Sequence, residues 1–278
     1  SLCAIAVWSI HLRFRIMSAE GMTLPKVIEE ARILSHEAPI AGVDILTLDS
    51  PMIARTALPG QFVQVSVPLR GGYLRRPLGI AEVSRAEGRI RLIYRQVGSG
   101  TEALAGAETG GSVSVLGPLG RGFTTELRHP LLVGGGMGLS PLLFFAAESR
   151  GTASVLMGGR TKDELFWEHI YAPYVHEVFI TTDDGSYGTK GFVTTLLPEL
   201  LAKESYDGIA VCGPPVMMQC VAALAASYDV PCEVSLERHM ACGLGACLSC
   251  AVDTKYGRRK VCKDGPVFSA DEVYYDAS

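Results

Sequence analysis

Four cysteines toward the C-terminal end restrict this chain more than any other feature. Cys242, Cys247 and Cys250 lie within the nine residues Cys-Gly-Leu-Gly-Ala-Cys-Leu-Ser-Cys, and Cys262 follows after eleven more. Cys-x4-Cys-x2-Cys…Cys is the spacing with which four thiolates hold a plant-type [2Fe–2S] cluster. A loop wrapping such a cluster must bend tightly and turn N–H groups toward sulfur, and Gly243 and Gly245 reach the positive φ this needs without a Cβ penalty. Structural zinc usually takes its ligands from two separated Cys-x2-4-Cys knuckles, which this run does not supply. A disulfide framework belongs to small secreted chains, and this one has 278 residues. The spacing therefore predicts a [2Fe–2S] cluster, and with it one-electron chemistry.

Such a cluster needs a folded body to hold it. Hydrophobic residues make up 48% and charged residues 19% of the chain, enough for a sizeable core, and the length suggests two domains with room for a small third. A net charge of -4 and the lack of any Lys/Arg run argue against nucleic-acid binding. No apolar stretch approaches the roughly 18 residues of a membrane span. The apolar run Ser1–Ile10 precedes His11, Arg13 and Arg15, the wrong order for a secretory signal. Residues 1–24 are set apart as an N-terminal extension, with Met17 and Met22 as alternative starts. Cys3, Cys212, Cys220 and Cys232 are scattered, which suits a reducing cytoplasm.

From Pro25 to Leu34 the chain reads as a helical lead-in. Short apolar runs follow, punctuated by Gly and Pro: Val43–Leu48, Gln61–Val67 (alternating at Val63, Val65 and Val67, with Phe62 out of register), Arg89–Arg95 and Ser112–Leu116. Strands at this spacing predict an antiparallel barrel or sandwich over residues 25–127. The texture then changes. Strands at His129–Val133, Ala153–Met157, Glu177–Thr181 and Asp207–Cys212 alternate with helical stretches at Leu142–Glu148, Lys162–Ala172, Gly191–Leu201 and Val216–Ala226. That alternation predicts a Rossmann-like parallel α/β domain over 128–232, leaving 233–278 as a small cluster domain.

Several motifs carry chemistry. Gly134-Gly-Gly-Met-Gly138 ends an apolar strand and opens a helix, where a pyrophosphate can approach the backbone and the helix N-terminus; the alternative is a packing turn. Arg75-Arg76-Pro77-Leu78 lies between two barrel strands. Gly98-Ser-Gly-Thr101 follows another, so an arginine fork, a backbone N–H of Gly100 and the Thr101 hydroxyl suggest a second phosphate-bearing ligand. Cys212-Gly-Pro-Pro-Val-Met217 ends the last long strand, at the carboxyl edge where open sheets bind ligands; the thiol either contacts a nicotinamide or is a small buried hydrophobe. Asp183-Asp184-Gly185 reads as a turn and Glu237-Arg238 as a solvated pair. The histidines show no ligand spacing, and no nucleophile–base pair is present.

In this order the motifs resemble the ferredoxin–NADP⁺ reductase superfamily and, within it, the electron-transfer subunits of NAD-dependent (class 1B) dihydroorotate dehydrogenases. The likeness spans about residues 30–265 and is most specific in Arg76-Pro-Leu-Gly79, Tyr94–Thr101, Gly117–Phe123, Gly134–Pro141, Cys212–Met217 and Ser235–Cys250. It implies that Arg76, Pro77, Leu78, Gly79, Ile93, Tyr94, Arg95, Gly100 and Thr101 hold FAD. It further implies that Gly134, Gly135, Gly136 and Gly138 meet NAD, with Cys212 near the nicotinamide, and that Cys242, Cys247, Cys250 and Cys262 ligate the cluster. Gly79 departs from the family's Ser or Thr, which removes a flavin hydrogen bond from a hydroxyl. The Cys250–Cys262 segment is short for the family, which implies a trimmed hairpin. The implied partner is a catalytic flavoprotein subunit that oxidises dihydroorotate, in a heterotetramer serving pyrimidine biosynthesis. Related reductase subunits serving ferredoxin–NADP⁺ transhydrogenase, sulfite reductase or hydrogenase are the alternatives, together with a non-catalytic redox-sensing module.

Overall fold

The computed structural model describes residues 26–67 and 74–274; the expected extension over residues 1–24, with Cys3, Met17 and Met22, lies outside them. Six strands come first: β1 (Val27–Ile40), β2 (Val43–Asp49), β3 (Phe62–Val65), β4 (Arg76–Ser84), β5 (Arg89–Arg95) and β6 (Ser112–Leu119). They close into an antiparallel barrel in the order β1-β2-β5-β4-β3-β6. Two short helices, α1 (Pro51–Thr56) and α2 (Ser99–Ala105), interrupt the strand sequence.

Two elements of the barrel differ from expectation. Where the described residues cover the expected helical lead-in (Pro25–Leu34), Val27–Leu34 forms the first half of β1. Its Glu, Ala and Arg residues are good helix formers, but tertiary context overrides propensity: as a strand it gains ladder partners on both sides, β2 and β6, and closes the barrel. Ala31 and Ile33 are buried while Glu30 and Arg32 stay exposed, a period of two. The Arg76–Gly79 motif lies on a strand rather than in a connection. Pro77 and Gly79 disguise β4, because both usually mark turns.

Phe62 does not break the alternation of β3. Val63 and Val65 fill the barrel, while Phe62 points outward and packs with Leu131, Val133, Cys250 and Cys262 in a second core. The barrel's outer face is thus built to be covered.

What covers it is a seven-stranded sheet. β7 (Pro130–Gly135), β8 (Ser154–Gly159), β9 (Glu177–Thr182), β10 (Thr189–Lys190), β11 (Gly208–Cys212) and β12 (Cys232–Ser235) run parallel, in the order β10-β9-β8-β7-β11-β12. The helices are α3 (Leu139–Glu148), α4 (Trp167–Tyr171), α5 (Val193–Lys203) and α6 (Pro215–Ser227). The expected helix at Lys162–Ala172 is split: a 3₁₀ turn at Lys162–Glu164 precedes α4. α3 locks sheet to barrel. Its residues Leu142, Leu143, Phe145 and Ala146 pack in the sheet core while Phe144 enters the barrel core, a burial that stabilises by about 1.5–3 kcal/mol.

The cysteine run leaves the sheet after β12. It passes through the hairpin β13 (Ala251–Thr254) and β14 (Gly257–Lys260), and returns as β15 (Val267–Ser269), antiparallel to β12 with Ser235 opposite Val267. Strands on both sides of the run therefore belong to the seven-stranded sheet.

Candidate redox site

The barrel contribution begins at Arg76, the first residue of β4. Its guanidinium lies directly against Gly100 in the first turn of α2, so close that a Cβ at position 100 would fall on it. One Arg76 Nη1–H donates to the Leu74 carbonyl at 2.6 Å. The first N–H groups of a helix have no partner within it, so this pairing sets an arginine fork beside unpaired amides, an arrangement suited to pyrophosphate. Thr101 shapes the loop. Its hydroxyl donates to the Gly98 carbonyl at 3.0 Å and accepts from the Val97 N–H at 2.9 Å, so its proton is committed within the loop. Arg75 is a brace across the barrel, donating to the carbonyls of Gln64 and Ser114 and to the Ser114 hydroxyl.

Pro77 and Leu78 continue β4 toward Gly79, whose notional Cβ would meet Pro141 at an ordinary 3.5 Å. A serine would fit there, so packing does not demand the glycine. On β5, Ile93, Tyr94 and Arg95 follow in turn. The Ile93 carbonyl accepts a hydrogen bond of 2.9 Å from the buried Ser140 hydroxyl at the start of α3. The Tyr94 hydroxyl is buried with no partner. Burial, then the Asp44 carboxylate opposite it, push its pKa well up. A buried hydroxyl without a partner is a place for a polar ligand atom, and the fit with an FAD group is good.

The glycine motif expected to meet a nucleotide lies where β7 and β11 end side by side, with Gly134 opposite Cys212. Three of the four glycines are there for packing: Gly134 against Leu139, Gly135 against Met217 and Gly138 against the Cys212 backbone. Gly136 differs, with φ of 56° and nothing within 4 Å of its notional Cβ. It is the glycine open to a ligand. Cys212 is buried, and burial, then the Glu237 carboxylate, drive its thiol pKa far above the usual range against a hydrogen bond with Ser235. The thiol is therefore neutral. Glu237, read from sequence as one of a solvated pair, is exposed but lies beside this edge of the sheet. At the tip of β8, Arg160 is held by Glu164 at 2.8 and 2.5 Å, and Asp184 caps its own turn through Ser186.

The four cysteines come as two pairs. Cys242 and Cys247 have their sulfurs 3.3 Å apart, and the N–H groups of Leu244 and Cys247 point at the Cys242 sulfur at 3.4 and 3.5 Å. Gly243 and Gly245 have φ of 66° and 82°, the left-handed turns that aim those amides inward. Cys250 and Cys262 are buried neighbours, close enough for one thiol to act on the other. Hydrogen bonds from the Ser249 hydroxyl and backbone hold the Cys247 thiol down to about 6, whereas burial and then Cys250 push Cys262 up to about 12. Among the described residues no group of three or more His, Cys, Asp or Glu is gathered around a single metal ion. Two thiol pairs fit a two-iron cluster, in which the ligands divide between the irons, better than one tetrahedral ion.

Between cluster loop and barrel lies Gln64 on β3. It is fully buried, and both polar atoms of its carboxamide lack partners. Neither it nor Ser140 stands out in the sequence, because each acquires its meaning from an element distant along the chain.

Among known proteins, residues 237–274 match the iron–sulfur cluster binding domain of dihydroorotate dehydrogenase B. The dihydroorotate dehydrogenase B (NAD(+)) electron transfer subunit of Desulforamulus reducens is 38% identical, covering 89% of this chain and 98% of that one. The subunit of the same name from Fusobacterium nucleatum is 40% identical over 77% and 86%. A chain of the NADH-dependent reduced ferredoxin-NADP oxidoreductase superposes with a TM-score of 0.80 at 31% identity, covering 89% of this chain and 91% of that one. The ferredoxin reductase of carbazole 1,9a-dioxygenase shares the fold, with a TM-score of 0.63 at 22% identity over 76% and 68%. With a barrel whose outer face is covered by a parallel sheet, and paired thiols leaving that sheet's edge, the chain belongs to the family of dihydroorotate dehydrogenase B (NAD(+)) electron transfer subunits.

Proposed function

We propose that this chain is an NAD(H)-linked flavin oxidoreductase subunit that carries electrons between NAD and a dihydroorotate-oxidising flavoprotein through FAD and a [2Fe–2S] cluster. The observation that carries this reading is the junction itself: the Arg76–Gly100 cradle, the open Gly136 and the two thiol pairs all belong to units that share one packed core. Bound FAD exchanges hydride with a nicotinamide and single electrons with a cluster, so it joins a two-electron carrier to a one-electron carrier.

The chain's own residues do the positioning. Arg76 and the first turn of α2 hold the FAD pyrophosphate; Pro77, Leu78, Gly79, Ile93, Tyr94 and Arg95 line the flavin, and Thr101 keeps its loop in shape. Gly136 admits the NAD pyrophosphate; Gly134 and Gly135 let Leu139 and Met217 pack closely on the end of β7, and Gly138 lets the turn approach the Cys212 backbone, so that Cys212 stands near the nicotinamide as a neutral thiol. Cys242, Cys247, Cys250 and Cys262 hold the cluster. The division into residues 25–127, 128–232 and 233–278 describes these three tasks, with the sheet continuing into the third segment through β15.

Exposed Leu244 and Leu248 flank the cluster cysteines, which makes this face the docking surface for the catalytic flavoprotein subunit of a heterotetramer. Among the described residues no helix is long and apolar enough to cross a membrane. The scattered cysteines Cys212, Cys220 and Cys232, none in a disulfide, support a reducing cytoplasm. Anaerobic purification tests the reading. It expects bound flavin, acid-labile sulfide, NADH-driven dye reduction and a co-purifying dihydroorotate-oxidising subunit; protein lacking both flavin and sulfide overturns it. The likeness to the ferredoxin-NADP oxidoreductase chain supports a second reading, a subunit serving ferredoxin, and the identity of the co-purifying protein separates the two.

A further inference from the structure

Gln64 belongs to a barrel strand yet faces the cluster loop. It lies next but one to Phe62, which packs outward into the core that contains Cys250 and Cys262. Its carboxamide rests against Gly243, whose notional Cβ would lie 2.6 Å from Nε2 and 3.0 Å from Cδ. Gly243 adjoins the ligand Cys242 in the loop that turns its amides toward sulfur. Across the barrel ladder Gln64 stands opposite Pro77 in the flavin motif. The side chain thus occupies the ground between the two redox sites.

A primary amide offers two donors and a doubly accepting oxygen. Here all of that capacity is buried with neither N nor O partnered, a state costly enough that native interiors rarely keep it. Phe62, which shares its face of β3, is apolar and offers the amide no partner. We infer that the Gln64 carboxamide donates a hydrogen bond to the sulfur shell of the bound cluster, making it a positioning residue that tunes the cluster from the barrel side. This rests on the assignment of the four cysteines as cluster ligands. Hydrogen bonds to cluster sulfurs help set the reduction potential, and a donor favours the reduced form, whose extra negative charge it stabilises.

Redox titration of the holoprotein, followed by the EPR signal of the reduced cluster, tests the inference in Gln64→Leu and Gln64→Met. Both variants keep the bulk of the side chain and lose the amide. Flavin and iron content are expected to stay at wild-type levels. The cluster's one-electron equilibrium should shift about tenfold toward the oxidised form, about 59 mV more negative, with the flavin potential unmoved. A second readout is thermal. Removing an orphaned amide should raise the melting temperature of the cluster-free chain, while cluster loading should stabilise either variant less than wild type. An unchanged cluster potential, a shift confined to the flavin, or equal loss of stability with and without cluster would each overturn the assignment. Wild-type protein without acid-labile sulfide would remove the underlying reading as well; wild type with a normal cluster and indistinguishable variants would remove this inference alone.

Discussion

Gly100 lies directly beneath the Arg76 guanidinium, so the first turn of α2 and the first residue of β4 meet at a point where only a hydrogen fits. The relationship ties the barrel's arginine to its glycine far along the chain, and it gives a sharp test. Gly100→Ala is expected to displace the guanidinium without touching its charge. FAD affinity should fall about tenfold or more, ~1.4 kcal/mol, with Arg76→Ala losing at least as much. Flavin retained at wild-type levels after gel filtration of either variant would count against the cradle.

The paired thiols make a prediction of separability. Cys247→Ser should abolish the visible spectrum and EPR signal of the cluster while leaving FAD bound, because Arg76, Gly100 and Tyr94 lie on the barrel. NADH-driven reduction of a dye that accepts directly from flavin should survive, and electron delivery to the partner should not. Acid-labile sulfide, flavin content and the two activities decide the matter together.

The edge of the sheet near β8 bears on the choice of nucleotide. Arg160 is the cation at this strand tip, but Glu164 holds it through two hydrogen bonds, and the Asp183 carboxylate is near. A 2′-phosphate would meet a neutralised arginine beside acids. Glu164→Gln should therefore lower the KM for NADPH several-fold relative to NADH, with kcat for NADH nearly constant. The gain should shrink with added salt, since the Arg160 guanidinium is exposed.

How much of this was legible in the sequence depends on how local the cause was. β5 matches its expected span, and α3 and β11 lie within a few residues of theirs, because an apolar run bounded by turn residues needs no distant partner to be recognised. The first half of β1 looks helical in sequence, since the partners that make it a strand, β2 and β6, lie downstream. β4 was hidden by Pro77 and Gly79. The cysteine spacing singles out the four proposed cluster ligands, whereas the neighbours of their loop, Gln64 at Gly243 and the Ser249 hydroxyl at Cys247, come from the folded arrangement. Thr101 illustrates a subtler limit. Its hydroxyl looked available for a ligand, yet the nearest backbone groups claim it.

Cys212 gives the chain an alkaline weakness. Its thiol ionises far above the ordinary value of 9.0 in the folded state and near that value once unfolded, so above about pH 9 the folded state binds the extra proton. Stability must then fall as pH rises through that range. Cys212→Ala should flatten the decline, measured as melting temperature from pH 8 to 10.5. The same variant separates stability from hydride exchange, which proximity to the nicotinamide predicts will also weaken.

β15 completes the sheet on the far side of β12, and the segment that delivers it also carries Cys262. Without β15, β12 would become a border strand with a row of unpaired amides and carbonyls, a template onto which other chains can add. The backbone that carries Cys262 therefore also shields the border of the sheet, so truncation before β15 is expected to promote self-association, read by light scattering.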